Sequence, residues 1–454
     1  MKVCVIGTGY VGLTTGLCLA YVGHDVCCFD VDTDKIDSLR HGRPTIYEPG
    51  IREMLATVFD RVRFTENASE ALHEAQVVFI AVGTPPLPDG NPDLRYLREA
   101  GEQIGRRLNG YSPVIVNKST VPVGSGNWIE SIVRDSYQAH HGRSPQGNFS
   151  VASNPEFLRE GSAIHDSLYP DRIVIGGDDG CALHVLEDLY RPITEQSFPS
   201  PAFAPRPEGF GAVALVTADL ASAELIKYAA NSFLSIKISF ANEIGHLAER
   251  VGANIKQVML GVGLDARIGP RFLQAGLGWG GSCFGKDAAA LAAMAREYGT
   301  CMRIVQAAHD VNYNQRALAV DKLQGAVKIL KGRTIGILGL AFKPNTDDLR
   351  DSPALEIAQR LLDRGAKVRA HDPIALCNAQ RLHAEGGITF CPTAEAVFED
   401  ADAVLLATEW QEYADLRWHE LGSTMRSRII VDGRNFLDRK LLADHGFQYI
   451  GLGV

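Results

Sequence analysis

Through the first half of the chain, short apolar runs alternate with longer stretches of helical periodicity. The apolar runs fall near residues 2–6, 25–30, 77–82, 113–118, 150–153 and 172–177. Their length and β-branched content predict strands, with helices between them, and that alternation points to a doubly wound parallel sheet. From Asp219 to Val251 a nearly unbroken helical pattern follows, apolar on most faces through Leu225, Ile226, Phe233, Leu234, Ile236, Ile238 and Phe240. A helix so long and so apolar must be buried, between domains or between subunits. A second strand-helix alternation begins at Arg333.

Landmarks of that second unit echo the first. The stretch from Gly23 to Asp30 is answered by Gly365 to Asp372, and Gln76–Ala81 by Asp402–Ala407. The predicted fold is therefore α/β, with two Rossmann-like doubly wound domains joined by a long central helix and a helical middle domain. The expected boundaries are 1–211, 212–331 and 332–454. Ser197 to Gly211 contains four prolines and reads as an extended linker.

Composition narrows the partners. A net charge of -9 over 454 residues leaves no basic footprint for nucleic acid or an anionic membrane, so a phosphorylated ligand must be met by local cations. Nine cysteines show no Cys-x-x-Cys pair and no zinc spacing, so no metal site is expected and reduced thiols in the cytoplasm fit best. Residues 3–23 are uncharged and follow Met1-Lys2, as a secretory signal would, but five glycines interrupt the run. Strand, glycine turn and helix describe it better.

Gly7-Thr8-Gly9-Tyr10-Val11-Gly12 follows the first strand and opens a helix, and Asp30 stands eighteen residues after Gly12 at the end of the next strand. The glycine pattern alone is weak. With strand, helix and acid in place it predicts a dinucleotide site, because the turn lets backbone N–H groups reach a pyrophosphate. An acid at Asp30 accepts from ribose hydroxyls and repels a 2′-phosphate, which favours NAD over NADP. Three further strand ends carry polar turns, at Gly83–Pro86, Lys118–Pro122 and Ser153–Glu160. Glu156 and Glu160 are four apart on a helix that Asn154 and Pro155 would start, hence on one face. They either complement the helix dipole or do chemistry.

Glu224, Lys227 and Asn231 form one polar stripe on the long apolar helix. Either Glu224 pairs with Lys227 while Asn231 bonds a neighbouring domain, or Lys227 and Asn231 face the substrate, where a cation stabilises an oxyanion. The run from Gly278 to Asp287 places Cys283, Lys286 and Asp287 within five residues on a loop that its glycines make flexible. A helix N-terminus and Lys286 would enrich the Cys283 thiolate, whereas Asp287 would oppose that or act as a base partner. A nicotinamide site and an activated thiol in one chain point to oxidation of an alcohol to an acid through a thioester. The second unit lacks the third glycine of the fingerprint. Its Lys343 and Arg350 suit a diphosphate, a neighbouring carboxylate or a surface charge cluster.

Six motifs in order, GTGYVG, NKSTVPVG, NPEFLREGSAIHD, ELIKYAANSFLSIKISFANEI, GGSCFGKD and GLAFKPNTDDLRDSP, resemble the UDP-glucose/GDP-mannose dehydrogenase family over nearly the whole chain. The stretches Ala266–Gly269, Phe272–Gly276 and Ser282–Phe284 look like its UDP-glucose branch rather than those for GDP-mannose or UDP-N-acetylhexosamines. The resemblance implies NAD contacts at Gly7, Gly9, Val11, Gly12, Asp30, Lys35, Thr84, Thr120, Lys286 and Arg350. It implies sugar and nucleotide contacts at Phe157, Leu158, Glu160, Lys227, Asn231, Phe272, Leu273, Gln274, Ala275, Gly276, Gly280 and Lys343. Arg267 resembles an arginine that reaches the substrate of a neighbouring subunit. Cys283 would be the nucleophile, Lys227 with Asn231 would stabilise oxyanions, Asp287 with Thr120 would handle water, and Glu160 would serve thioester hydrolysis. UDP-glucose is the expected substrate, and a homodimer through the long helix the expected assembly. The proline-rich insert at 197–211 and the segment Tyr137–Asn148 depart from the usual connections and touch no motif.

Overall fold

The computed structural model describes residues 1–108, 111–145 and 149–454, so the end of the Tyr137–Asn148 segment lies outside the described residues. The chain divides into two compact units, Met1–Ala229 and Ala230–Val454.

The first unit holds strands β1 (Lys2–Ile6), β2 (Asp25–Phe29), β3 (Val62–Thr65), β4 (Val77–Ile80), β5 (Val114–Asn117), β6 (Ser150–Ser153), β7 (Arg172–Gly177) and β8 (Ala214–Ala218). Its helices are α1 (Tyr10–Tyr21), α2 (Thr33–Arg40), α3 (Ile51–Val58), α4 (Ala68–Ala71), α5 (Arg95–Arg107), α6 (Ser125–His141), α7 (Ala163–Leu168) and α8 (Gly180–Thr194). The strands form one sheet in the order β3-β2-β1-β4-β5-β6-β7-β8, with the switch in winding between β1 and β4. Helices cover both faces, and an apolar core lies on each side of the sheet.

Two details correct the sequence reading of this unit. The sheet is not wholly parallel, because β7 runs antiparallel to β6 before β8 pairs parallel with β7. Strands β3 and β8 were also not anticipated. Each is only four or five residues long, and β8 is a largely exposed edge without a buried apolar face to mark it.

The proline-rich segment 197–211 is likewise no extended linker. Phe198 and Ala204 are buried in the first core, and the Arg206 guanidinium donates to the carbonyls of Gln196 and Phe198. Tyr169 stacks on Phe198 at 6.0 Å. Apolar anchors between the prolines fold the segment back onto its own unit.

Helix α9 (Leu220–Val251) is continuous over 32 residues. Along it Ala223, Tyr228, Ala241 and Ala248 are buried, but Phe233, Phe240 and Leu247, each seven residues from the next, are 61%, 47% and 55% exposed. Burial within the chain therefore accounts for only part of its apolar surface.

The second unit continues with α10 (Ile255–Gly263), α11 (Phe284–Glu297) and α12 (Arg303–Val327). Six parallel strands follow: β9 (Thr334–Leu338), β10 (Lys367–His371), β11 (Ile388–Phe390), β12 (Ala403–Leu406), β13 (Ile429–Asp432) and β14 (Gln448–Gly451). Their order, β11-β10-β9-β12-β13-β14, is the doubly wound arrangement, with α13 (Pro353–Asp363), α14 (Leu376–Leu382), α15 (Gln411–Ala414), α16 (Trp418–Thr424) and α17 (Arg439–Asp444) between and around them. The expected repeat of the Rossmann plan is thus present. In this second copy the acid Asp372 is buried and accepts from the backbone N–H groups of Leu340 and Ala341 at 2.7 and 2.9 Å.

Candidate active site

In the first unit the chain turns sharply between β1 and α1. Gly7 has φ +97°, and a Cβ there would stand 2.6 Å from the Ala81 carbonyl oxygen. A Cβ on Gly12 would overlap the Gly7 carbonyl at 1.9 Å, so both glycines serve close backbone packing. At Gly9 a Cβ would meet nothing within 4 Å, and no side chain caps the helix that starts there. An open cradle before uncapped first-turn N–H groups fits a pyrophosphate. Asp30 closes the turn, since its Oδ2 accepts from the Thr8 N–H and hydroxyl at 2.7 Å each and its Oδ1 accepts from the Asp32 N–H at 3.1 Å. Lys35 lies in the first turn of α2, with its ammonium 3.5 Å from Asp32. The fingerprint residues thus fit a dinucleotide, with Val11 partly buried against the core beneath them.

The strand ends of the same unit bring other groups together. The Thr84 hydroxyl donates to the Thr120 carbonyl at 2.9 Å, which ties the β4 and β5 loops. Lys227 Nζ donates to Glu156 twice, at 2.6 Å to the main-chain oxygen and 2.8 Å to Oε1, and both side chains are buried. The Phe157 ring has the Arg172 guanidinium 3.8 Å and the Lys227 ammonium 5.4 Å from its centre.

Residues 154–159 are not helical, contrary to the expected helix from Asn154. The Glu156 carboxylate accepts from the Leu158 N–H at 2.9 Å, a local turn that competes with helix, and α7 starts only after Ser162. Glu156 and Glu160 therefore do not share a helical face. The loop is pinned on both sides of Glu160, where Arg159 forks onto Asp166 and Glu48 accepts from the Gly161 and Ala163 N–H groups.

The Glu224–Lys227 pair does not form either. Glu224 accepts from the Gly124 and Gly126 N–H groups at 2.7 and 2.8 Å, capping α6, while Lys227 turns to Glu156. Burial pushes the Glu224 carboxyl up to about 7 despite those two donors, with the Asp178 charge adding to the rise.

In the second unit Asn231 donates to Asp287 Oδ2 at 2.6 Å, and Lys286 Nζ stands 3.0 Å from Asp287 Oδ1. Asp287 is buried, and its Oδ1 accepts no aligned hydrogen bond among the described residues. Cys283 is the exposed N-cap of α11, with its sulfur 3.7 Å from the Ser282 hydroxyl.

The glycines before Cys283 do not make a flexible loop. A Cβ on Gly280 would lie 2.3 Å from the Asp351 carbonyl oxygen, and one on Gly281 2.8 Å from the Phe342 ring. Trp279 just before them is buried, its N–H and carbonyl both bonded to the Asn312 side chain. Lack of side chains here permits close packing.

Upstream, Phe272 holds φ +65°, a conformation that a bulky residue rarely adopts. Leu273 and Ala275 are buried, and Gly276 is fixed by Asn242 and Gln315 through its N–H and carbonyl. Gln274, Gly280 and Lys343 belong to the same unit, and Lys343 Nζ stands 5.4 Å over the Phe342 ring. The Arg350 guanidinium forks onto Asp348 and that of Arg267 onto Asp265, the latter arginine side chain 89% exposed.

Comparison with known proteins fits this geometry. Residues 1–194 match the NAD binding domain, 221–314 the central domain and 336–439 the UDP binding domain of the UDP-glucose/GDP-mannose dehydrogenase family. The chain is 44% identical to UDP-glucose 6-dehydrogenase TuaD of Bacillus subtilis, over all of this chain and 93% of that protein. It is also 44% identical to the UDP-glucose 6-dehydrogenase of Rhizobium meliloti, over all of this chain and 99% of the other.

The chain belongs to the UDP-glucose/GDP-mannose dehydrogenase family.

The solved UDP-glucose dehydrogenase of Pyrobaculum islandicum superposes with a TM-score of 0.87 at 40% identity, covering 100% of this chain and 97% of that one. A UDP-D-ManNAc dehydrogenase of Pyrococcus horikoshii superposes at 0.84 with 27% identity, covering 100% and 99%. For a member of this family the residues that sequence reasoning passed over are Glu156 as the partner of Lys227, Glu224 as the cap of α6, and Arg172 against Phe157. Their partners lie far away in sequence, so no local spacing marks them. Glu156 carried a signal in its place at a strand end, and Glu224 in the polar stripe of the long helix.

Proposed function

We propose that the protein is an NAD-dependent UDP-glucose 6-dehydrogenase that oxidises C6 of UDP-glucose twice and releases UDP-glucuronate. The observation that carries the reading is the coexistence of a dinucleotide turn with Asp30 in the first unit and, in the second, an exposed Cys283 at a helix N-terminus beside Lys286 and Asp287. NAD, when bound, accepts one hydride in each oxidation. Gly7, Gly9, Val11, Gly12, Asp30, Lys35, Thr84, Thr120, Lys286 and Arg350 would hold it.

Phe157, Leu158, Glu160, Lys227, Asn231, Phe272, Leu273, Gln274, Ala275, Gly276, Gly280 and Lys343 would contact UDP-glucose, with Arg267 reaching the substrate of a second subunit. As C6–OH loses hydride, its proton leaves through water that Asp287 and Thr120 position. Cys283 Sγ then adds to the aldehyde carbon, and Lys227 with Asn231 steadies the oxyanion. Loss of the second hydride leaves a thioester. Water, activated with help from Glu160, cleaves the C–S bond, so that the acid departs and the thiol returns.

The buried pairing of Lys227 with Glu156 supports a cation held ready for an oxyanion, and the Asp287 oxygen without an aligned donor suits a water. The seven-residue row Phe233, Phe240, Leu247 supports a homodimer through α9, because an exposed apolar stripe of that spacing needs a partner surface. No helix among the described residues is long and apolar enough to cross a membrane, which accords with the cytoplasmic setting proposed here.

The test is stoichiometry. Purified protein with UDP-glucose and excess NAD should form two NADH per sugar and UDP-glucuronate. One NADH would indicate a single-oxidation dehydrogenase, and none a nucleotide-sugar binding protein. The better substrate among UDP-glucose, GDP-mannose and UDP-N-acetylhexosamines decides the branch.

A further inference from the structure

The proposed chemistry leaves one buried ammonium unused. Lys118 follows β5 directly and is 8% exposed. Its Nζ donates to Asn154 Oδ1 at 2.9 Å, the one hydrogen bond that the group makes among the described residues. Asn154 is itself held on both sides, with Oδ1 accepting from the Tyr190 hydroxyl at 2.5 Å and Nδ2 donating to the Val174 carbonyl at 2.7 Å. Two residues further on, Glu156 binds Lys227. Lys118 therefore grips the start of the loop whose next acid is the partner of Lys227.

Charge links the same groups. Burial pulls the Lys118 ammonium down to about 8, Glu156 opposes that fall, and Lys227 adds to it. Two cations and one carboxylate thus share a buried region. Among the described residues Lys118 is the member without a carboxylate in contact, since Glu156 gives its Oε1 to Lys227. A second cation so placed attracts the Glu156 carboxylate and repels the Lys227 ammonium. Tyr190, reached through Asn154, and the Phe79 ring, 5.8 Å from Nζ, complete the surroundings named by these contacts.

We infer that Lys118 is a positioning residue for the Lys227–Glu156 pair, fixing the Glu156 loop through Asn154 and setting the ionisation of the pair through its own charge. This rests on the proposed function in assigning that pair to the sugar-oxidising site.

The experiment compares wild type with Lys118→Met, Lys118→Arg and Asn154→Asp. Loss of the charge in Lys118→Met, or its neutralisation by the carboxylate of Asn154→Asp, should shift the pH profile of kcat for UDP-glucose upward by about one unit. Lys118→Arg should keep the wild-type profile. Ligand-free protein labelled with 13C at lysine Cε supplies a second reading, in which the Lys227 resonance, assigned by Lys227→Arg, should titrate at higher pH in Lys118→Met.

Profiles and Lys227 midpoints that coincide with wild type in both charge-altering variants would overturn the inference, whatever happens to kcat or Tm. If one of these variants does not fold, the other decides. Wild type that forms no NADH from UDP-glucose would instead refute the proposed function, while the lysine titration still tests the coupling.

Discussion

The Gly281 N–H donates to the Arg350 carbonyl at 3.1 Å, so the loop before Cys283 is anchored to the loop that opens α13. The neighbouring glycines let the two backbones approach. Gly280→Ala would set its Cβ against the Asp351 oxygen and Pro353 Cδ, at 2.3 and 2.7 Å, and neither can rotate away. Urea denaturation should show a loss of about 1–3 kcal/mol, the usual cost of overpacking, and kcat should fall with it. A neutral Gly280→Ala would mean that this loop tolerates displacement.

Cys283→Ala should leave the fold intact, because an exposed N-cap side chain that makes no cap hydrogen bond removes little packing. Formation of UDP-glucuronate should nevertheless fall by several orders of magnitude. Iodoacetamide should inactivate the wild type, and UDP-glucose should protect it. Two NADH per sugar from the variant at near wild-type rate would return Cys283 to a structural role.

Asp30→Ala should reduce the preference for NAD over NADP, read as the ratio of kcat/KM values. Because Asp30 also accepts from Thr8, the variant loosens the glycine turn, so the KM for NAD should rise as well. A chain that uses NADP equally well before mutation would show that Asp30 does not face the ribose.

Glu224 makes stability depend on pH. Its carboxyl is raised in the folded protein to about 7 from an ordinary 4.5, so between these values the folded state binds more protons than the unfolded chain. Its contribution is therefore most favourable below about 4.5 and is lost as pH rises towards 7, by on the order of 3 kcal/mol. Glu224→Gln should remove this slope, so urea denaturation at pH 5 and at pH 8 should favour wild type more at the lower pH. Equal differences at both would show that the two N–H donors from α6 outweigh burial.

Much of the architecture was legible in local pattern. Apolar runs marked six of the eight strands of the first sheet, the glycine pattern with Asp30 marked the turn between β1 and α1, and continuous periodicity marked α9 within a residue of its observed start. These features depend on neighbours a few positions apart, through strand alternation, helix period and the φ freedom of Gly7. The repeat from Gly365 to Asp372 was equally readable, as was the nearness of Cys283 to Lys286 and Asp287.

Tertiary structure decided the pairings. Lys227 had an acid three residues away in Glu224, yet it binds Glu156, while Glu224 spends its carboxylate on the first turn of α6. Buried charges take the partner that best satisfies them in space, and sequence spacing does not contain that competition. The same holds for the glycines before Cys283, whose meaning lies in the Asp351 carbonyl and the Phe342 ring that they admit. It holds also for 197–211, where Phe198 and Arg206 outweigh four prolines. Periodicity reports which groups must be buried or bonded, and only the folded chain determines which partners they meet.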